Sequence, residues 1–315
     1  MIHTALHTLR VGTRGSALAQ AQTASVVRML REQYPDLQIE TAVIRTSGDL
    51  QQREVLGAFV KELQEALLDG RIDVAVHSLK DLPTQPVKGL ALAAVPPRAD
   101  PRDVCLCREG DFWQLPSGAR VGTGSPRRSA QLRARRSDLQ YLPLVGNVDT
   151  RIRKLHEGQY DAIVLAAAGL QRLGFLENSD DRHVPLPDGS ELRIHLFDLD
   201  TVLPAPGQGA LAVECRVDNE AIRSLLSVVD HLPSRQEVTA ERAFLQAIGG
   251  GCRVPIAAYA KVEGQRLRLR GLVAHPEGKL MLSDQMEGEA EHAEVLGIAL
   301  AQRLLARGAS GLMEA

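Results

Sequence analysis

Residues 10–16 read Arg-Val-Gly-Thr-Arg-Gly-Ser, and a similar stretch, Arg-Val-Gly-Thr-Gly-Ser, stands at residues 120–125. In both places a strand-like stretch leads to a serine that can cap a following helix. A second echo pairs Ile-Asp-Val-Ala-Val at residues 72–76 with Tyr-Asp-Ala-Ile-Val at residues 160–164. Because the two echoes occur in the same order, they predict two similar α/β lobes.

Strand-like and helix-like segments alternate around these echoes. In the first lobe they are a strand at Leu9–Thr13, a helix from Ser16 to about Tyr34, a strand at Leu37–Arg45 and a helix at Ala58–Leu68. This rhythm is typical of a largely parallel sheet with helices on its faces. We expect the two lobes to face each other across a cleft, with ligands at strand C-termini and helix N-termini.

The chain after about Asp218 follows a different pattern. Ser234 and Glu237 have the spacing of a capping box, and Gly249 can end that helix. Two alternating strands and a final helix follow, at Arg266–Val273, Lys279–Met286 and about Glu289–Ala306. The pattern predicts a smaller α+β domain.

The composition argues against several classes of function. The net charge of −2 over 315 residues and the 3% aromatic content argue against a nucleic-acid partner. The four cysteines have no C-x-x-C spacing, which favours free thiols in a reducing compartment and no metal site. We find no secretory signal and no apolar run long enough to span a membrane. We expect a cytoplasmic protein.

The second echo ends differently in the two lobes. Lys80 and Asp81 follow the first strand, whereas small apolar residues stand at 165–170. A carboxylate beside an ammonium at a cleft edge can act as an acid, a base or a counter-ion to a developing cation. A solvated ion pair at a strand end explains the same two residues.

Arginines are concentrated after the second Arg-Val-Gly-Thr stretch. Ser125 can cap a helix whose first turn holds Arg127 and Arg128, where their charges oppose the helix dipole. A bound carboxylate or phosphate would relieve that repulsion. We expect a solvated helix face for Arg133, Arg135 and Arg136. Further arginines near predicted strand-to-helix turns are Arg14, Arg151 and Arg172.

Cys252 follows three consecutive glycines, Gly249-Gly250-Gly251. A thiol on such a loop is accessible and suits a covalent anchor point. A loop cysteine without any role is the alternative.

Several long motifs in order resemble the porphobilinogen deaminase family, also called hydroxymethylbilane synthases. They lie at residues 10–18, 58–62, 73–83, 100–104, 122–132, 146–151, 160–174, 204–216 and 240–260. The resemblance implies two lobes like those of type II periplasmic binding proteins, plus a small C-terminal α+β domain. The implied boundaries are 1–96 with 200–216 for lobe 1, 97–199 for lobe 2, and 217–315 for the C-terminal domain.

The resemblance also implies an activity. Four porphobilinogen molecules are condensed stepwise, each losing ammonia, on a covalent dipyrromethane primer. The product is the linear tetrapyrrole hydroxymethylbilane of porphyrin and heme biosynthesis. The resemblance implies no metal, and we expect a monomer. A non-catalytic anion-binding protein of the same two-lobed fold is the alternative, although it would need neither Lys80-Asp81 nor Cys252.

Residue roles follow from the same resemblance. Cys252 would carry the dipyrromethane through a thioether bond, and Asp81 would be the catalytic carboxylate. The side chains expected to bind the cofactor are Lys80, Ser125, Arg127 and Arg128. Those expected to bind substrate are Arg14, Ser16, Phe59, Arg151 and Arg172.

The sequence departs from the family pattern at two places. Val145 stands where an arginine usually precedes Gly146-Asn147, and the segment at 48–58 is short. We hypothesise that Arg53 or Arg45 supplies part of the missing charge.

Overall fold

A computed structural model describes residues 8–44, 60–177, 182–186, 188–249 and 254–313. The chain forms two compact units. The first takes the chain up to Ala99 together with Ala210–Arg235, and the second takes Asp100–Gly209 and the chain from Gln236 onward. The boundaries of the three domains stay a prediction.

The helices of the described residues are α1 (Ala17–Gln33), α2 (Lys61–Leu68), α3 (Pro126–Arg133), α4 (Val148–His156), α5 (Ala167–Arg172), α6 (Glu220–Leu226), α7 (Leu232–Ile248), α8 (Ala293–Ala306) and α9 (Ala309–Met313). Helix α1 shows why these segments are helical. Ser16 Oγ accepts a hydrogen bond from Ala19 N at 3.3 Å, and the helix buries Val26 and Leu30 on one face. The predicted helix from Ser16 to Tyr34 is confirmed.

The sheet of the first unit has the strand order β2 (Gln38–Ile44), β1 (Thr8–Arg14), β3 (Val74–Ser78), β11 (Leu211–Arg216) and β4 (Leu90–Ala94). β1 is parallel to both β2 and β3. β11 returns from more than 100 residues later in the chain and lies antiparallel between β3 and β4. Its residues Leu211, Val213 and Cys215 are part of the core of this unit.

One sheet of the second unit has the order β7 (Gln140–Leu142), β6 (Arg120–Gly122), β8 (Ala162–Ala166), β5 (Asp103–Cys107), β10 (Glu191–Leu196) and β9 (His183–Pro185). Here β6 is parallel to β7 and β8, and β5 is antiparallel to β8. The strand that carries Arg-Val-Gly-Thr therefore has equivalent neighbours in both sheets.

In each of these two sheets, the arginine of the first echo pairs with the aspartate of the second echo. Arg10 Nε and Nη2 donate to the Asp73 carboxylate at 3.0 and 2.9 Å. Arg120 Nε and Nη2 donate to the Asp161 carboxylate at 3.1 and 2.8 Å. The repeated ion pair explains why both echoes keep the arginine and the aspartate, and the predicted α/β fold class is confirmed.

The antiparallel sheet of the second unit contains β12 (Ile256–Glu263), β13 (Arg266–Ala274) and β14 (Met281–Glu289). Phe244 of α7 and Leu300 of α8 pack in its core with Leu269. A Cβ at Gly297 would lie 2.3 Å from Ala240 O, so only glycine permits this approach of α8 to α7.

The predicted capping box at the start of α7 is wrong, because the helix begins at Leu232 instead of after Ser234. Ser234 Oγ accepts from Arg98 N at 3.0 Å, and Glu237 Oε1 accepts from Val262 N at 3.1 Å. Both side chains therefore bind backbone outside the helix. The predicted C-cap is confirmed, since Gly249 has φ +78°.

Candidate active site

Lys80 and Asp81 lie directly after β3. The 3₁₀ turn Leu79–Asp81 follows the strand, and Leu79 N donates to Ala210 O at 3.0 Å. Leu79 is buried, which fixes the turn on the sheet. Asp81 is half-buried, and within the described ranges its carboxylate has no hydrogen-bond or ion-pair partner. A carboxylate in this state can accept hydrogen bonds from a ligand.

A buried polar cluster supports the end of β3. His77 Nε2 lies 3.1 Å from Glu214 Oε2 of β11. Gln64 Nε2 of α2 donates to both oxygens of Glu214, at 3.3 and 3.1 Å. Gln22 Nε2 of α1 donates to Ser78 Oγ at 2.8 Å. Three other elements thus hold the strand that precedes Asp81.

Arg14 and Ser16 lie at the same edge of this sheet. Arg14 is the last residue of β1, and the β1–β3 register pairs Val11 with Val74. In parallel strands the carboxyl ends meet at one edge. The structure therefore brings Arg14 and Ser16 to the edge that also carries Lys80 and Asp81.

In the second unit, α3 presents the predicted arginine cluster. Ser125 is its N-cap and accepts from Arg128 N at 3.4 Å, and Pro126 occupies the first turn. Arg127 and Arg128 are 4% and 5% exposed, and both pair with Asp103 of β5, which is fully buried. Arg127 Nη1 lies 2.6 Å from Asp103 Oδ2, and Arg128 Nη2 lies 2.8 Å from Oδ1. Sequence reasoning missed Asp103, because it stands 24 residues before Arg127.

Burial and neighbouring charges together set the pKa values in this cluster. Burial alone would raise the pKa of Asp103, but attraction to Arg127 and Arg128 and their hydrogen bonds hold that pKa well below its usual range. Burial lowers the pKa of Arg128, with the charges of Arg127 and Arg151 acting in the same direction and Asp103 opposing them. The cluster is therefore ionised with more positive than negative charge.

Arg151 and Arg172 belong to α4 and α5 of the second unit, and Arg151 is near enough for its charge to act on Arg128. Arg151 is on α4 and donates from Nε to Gly146 O at 2.6 Å. Arg172 is the last residue of α5, the six-residue helix that directly follows β8, and its Nη2 donates to Gly209 O at 2.7 Å. Burial lowers the pKa of Arg172 to about 10. Among the residues with described positions, no carboxylate pairs with it.

The prediction that Arg136 lies on a solvated helix face is wrong. Its guanidinium donates to Phe112 O and Leu115 O at 3.1 and 2.6 Å and pairs with Asp138. Arg133 is also engaged, through Glu277 at 3.1 Å. Each side chain therefore has a structural partner within its own unit.

Four residues of interest lie outside the described residues, namely Arg45, Arg53, Phe59 and Cys252. Their predicted roles stay predictions. Val145 is described, and its carbonyl oxygen accepts from Lys154 Nζ at 3.1 Å. A lysine ammonium therefore lies at the backbone of residue 145.

The sheets and the arginine cluster define a protein with two similar α/β sheet lobes, an antiparallel C-terminal sheet and a buried cluster in which two arginines share one aspartate. The model of the porphobilinogen deaminase dipyrromethane cofactor binding domain matches residues 9–224, and that of the C-terminal domain matches residues 235–306. The chain belongs to the porphobilinogen deaminase family.

Individual relatives agree over nearly the full length. The porphobilinogen deaminase of Syntrophus aciditrophicus is 45% identical, with 97% of this chain and 98% of that protein covered. The one from Thermus thermophilus is 48% identical, with 95% of each chain covered. Among solved structures, the methionine binding protein MetQ aligns with TM-score 0.43 and 14% identity, covering 71% of this chain and 90% of that one.

Membership establishes the activity. The chain is a transferase of tetrapyrrole synthesis, a hydroxymethylbilane synthase that uses porphobilinogen and a dipyrromethane cofactor. The predicted family, function and cofactor are confirmed, and the non-catalytic alternative is not supported. None of the helices in the described part of the chain combines the length and apolar character that crossing a bilayer requires.

Proposed function

We propose that Asp81 is the catalytic carboxylate of this synthase. Its half-buried carboxylate, which has no partner within the described part of the chain, is the observation that supports this role most directly. The carboxylate oxygens accept hydrogen bonds from pyrrole N–H groups. They balance the positive charge that develops on the substrate ring nitrogen as ammonia leaves. Asp81 also takes up the proton released at each coupling.

The cofactor is held by Cys252, Lys80, Ser125, Arg127 and Arg128 in this proposal. When bound, the dipyrromethane supplies the pyrrole carbon on which the tetrapyrrole chain is built. The charge balance of the arginine cluster supports a fit, because Arg127 and Arg128 share the single carboxylate of Asp103. Arg127 Nε is also buried without an acceptor in the described ranges. A ligand that carries acetate and propionate groups would compensate this charge.

The remaining proposed residues bind porphobilinogen and the growing chain. They are Arg14, Ser16, Phe59, Arg151 and Arg172. Arg172 supports this assignment, since its half-buried charge lacks a carboxylate partner among the described residues and would gain one from substrate. Each added unit brings two more carboxylates, so several arginines are required.

At the level of the whole protein, we infer a cytoplasmic monomer without a nucleic-acid partner. The net charge of −2 supports the absence of phosphate-backbone binding. We also propose the three-domain division at 1–96 with 200–216, 97–199 and 217–315.

The decisive experiment combines intact mass with turnover. We expect wild-type protein to exceed its chain mass by two pyrrole units and to release ammonia from porphobilinogen. Cys252→Ser should lose the added mass. Asp81→Asn should keep the added mass, but its kcat should fall by at least about 100-fold, the usual effect of removing an acid–base group. Asp69→Asn, an exposed aspartate of the same unit, is the control.

Turnover of Asp81→Asn close to that of the control would remove Asp81 from the catalytic role. Added mass that persists in Cys252→Ser would remove the tether instead. The two residues are therefore tested separately.

A further inference from the structure

Two residues without an assigned role converge on the arginine cluster. Asp103 belongs to the Asp-Pro-Arg-Asp-Val stretch at 100–104, and Gln208 to the stretch at 204–216. Both are almost fully buried, with exposures of 0% and 1%. Gln208 Nε2 donates to Asp103 Oδ1 at 2.9 Å and to Pro101 O at 2.7 Å. Three separated sequence motifs thus meet at Arg127 and Arg128.

The hydrogen-bond donors of Arg127 are nearly all used. Its Nη1 donates to Asp103 Oδ2 at 2.6 Å and to Leu203 O at 2.8 Å. Its Nη2 donates to Asp103 Oδ1 at 3.2 Å and to Gln208 Oε1 at 3.4 Å. A guanidinium has five N–H groups, and these contacts use both on each terminal nitrogen. Only the Nε–H remains for a ligand.

Arg128 keeps more of its donors. Its Nε donates to Asp103 Oδ1 at 2.8 Å, and its Nη2 lies 2.8 Å from the same oxygen. Its Nη1 donates to Val164 O at 3.1 Å. When only contacts with the described residues are counted, one N–H group on each terminal nitrogen of Arg128 therefore remains unused. Two such groups can bind a carboxylate in a bidentate manner.

Asp103 also sets the charge that a ligand encounters. One carboxylate between two guanidinium groups leaves one positive charge uncompensated in a buried setting. Without Asp103, two like charges would be buried side by side, and their repulsion would separate them. The aspartate thus keeps both arginines in place without neutralising them.

We propose that Asp103 and Gln208 are positioning residues of the cofactor site. They bind most of the hydrogen-bond donors of Arg127, and they orient Arg128. Arg128 is then the main donor to a carboxylate of the dipyrromethane. This inference rests on the proposed cofactor role of the two arginines.

The test measures cofactor loading instead of turnover. Apoprotein from cells that lack porphobilinogen is incubated with porphobilinogen, and the loaded fraction is followed by intact mass. We expect Asp103→Asn to load at least about tenfold more slowly, because asparagine keeps one acceptor oxygen but lacks the negative charge that holds Arg127 and Arg128 together. Gln208→Leu, which leaves the charge unchanged, should load about fivefold more slowly, since it removes the hydrogen bonds of Gln208 to Asp103 and Arg127.

Asp161→Asn is the matched control, because it removes the carboxylate of the Arg120 pair in the same unit. We expect its loading rate to stay within about twofold of wild type even where its melting temperature falls. If Asp103→Asn does not fold, Gln208→Leu decides the question.

Loading of Asp103→Asn and Gln208→Leu within twofold of wild type would overturn the positioning role, whatever their melting temperatures. Arg128→Gln separates this result from a failure of the proposed site. If Arg128→Gln also loads normally, the arginine site itself is wrong. If only Arg128→Gln loads slowly, the site is right and the positioning role is wrong.

Discussion

Arg172 carries a charge that folding disfavours, which its proposed role in substrate binding would explain. The residue is half-buried, and within the described ranges its hydrogen bond is to a backbone carbonyl, that of Gly209. Burial lowers the pKa of Arg172 to about 10, which means that folding disfavours its charged form. A protein keeps such a residue where a ligand supplies the missing negative charge.

Arg172→Met is therefore expected to stabilise the apoprotein. Removing a half-buried charge that folding disfavours should raise the free energy of unfolding by about 1 kcal/mol. The melting temperature should rise by about 2 °C. The KM for porphobilinogen should increase in the same variant. Arg153→Met, at an exposed position of α4, should change neither quantity. Loss of stability in Arg172→Met would contradict this account of the site.

Asp103 makes a separate prediction for acid stability. Its pKa in the folded protein lies below that of an unfolded aspartate, about 3.9. As the pH falls below about 4, the unfolded chain binds the proton first, so the stability that this carboxylate contributes is lost. Urea unfolding between about pH 5 and pH 3 should show a steeper loss for wild type than for Asp103→Asn. Parallel curves would contradict the prediction, because they would mean that folding does not lower the pKa of Asp103.

At the scale of elements, local capping signals predicted helices well where the chain has no competing partner. Ser16 and Ser125 cap α1 and α3 as expected. Ser234 and Glu237 have the same kind of spacing, but Arg98 N and Val262 N bind them instead. Asp103 and Gln208 could not be found this way, because their contacts with Arg127 span 24 and 81 residues. Sequence patterns therefore revealed the arginines but not the residues that hold them.

The turn between β13 and β14 packs against α3, the helix that carries the arginine cluster. Gly278 has φ +71°, and a Cβ there would lie 2.5 Å from Ala130 O. Gly264, in the turn between β12 and β13, has φ +62° but faces open space. Both positions favour glycine for their backbone conformation, but only Gly278 is also in close contact.

Alanine substitutions at these two glycines should separate the cost of backbone strain from the cost of a steric clash. Gly264→Ala should lower the free energy of unfolding by about 1 kcal/mol, the cost of a left-handed conformation. Gly278→Ala should cost about 2 kcal/mol more, because a backbone atom of α3 must move. Urea unfolding of both variants measures the difference. Equal losses of unfolding free energy would show that α3 shifts without an energetic cost.

At the scale of the whole molecule, the first sheet depends on a strand from far along the chain. β11 inserts between β3 and β4 only after the chain has passed through residues 100–209. Its Val213 is buried, and its Glu214 binds His77 and Gln64. No local pattern predicted that the segment at 211–216 joins this sheet, and only the family resemblance indicated it. Such long-range pairing makes folding slow.

The same topology predicts which fragments can fold. A fragment of residues 1–99 lacks β11, so the edges of β3 and β4 and the apolar surface beneath them are left uncovered. We expect it to be unfolded by circular dichroism and to aggregate. Joining residues 210–235 to it through a flexible Gly/Ser linker restores the buried Leu211 and Val213 and the partner of His77. The joined fragment should unfold cooperatively in urea, and the same joined fragment with Val213→Asp should not. Cooperative folding of residues 1–99 alone would show that β11 docks onto a unit that is already stable.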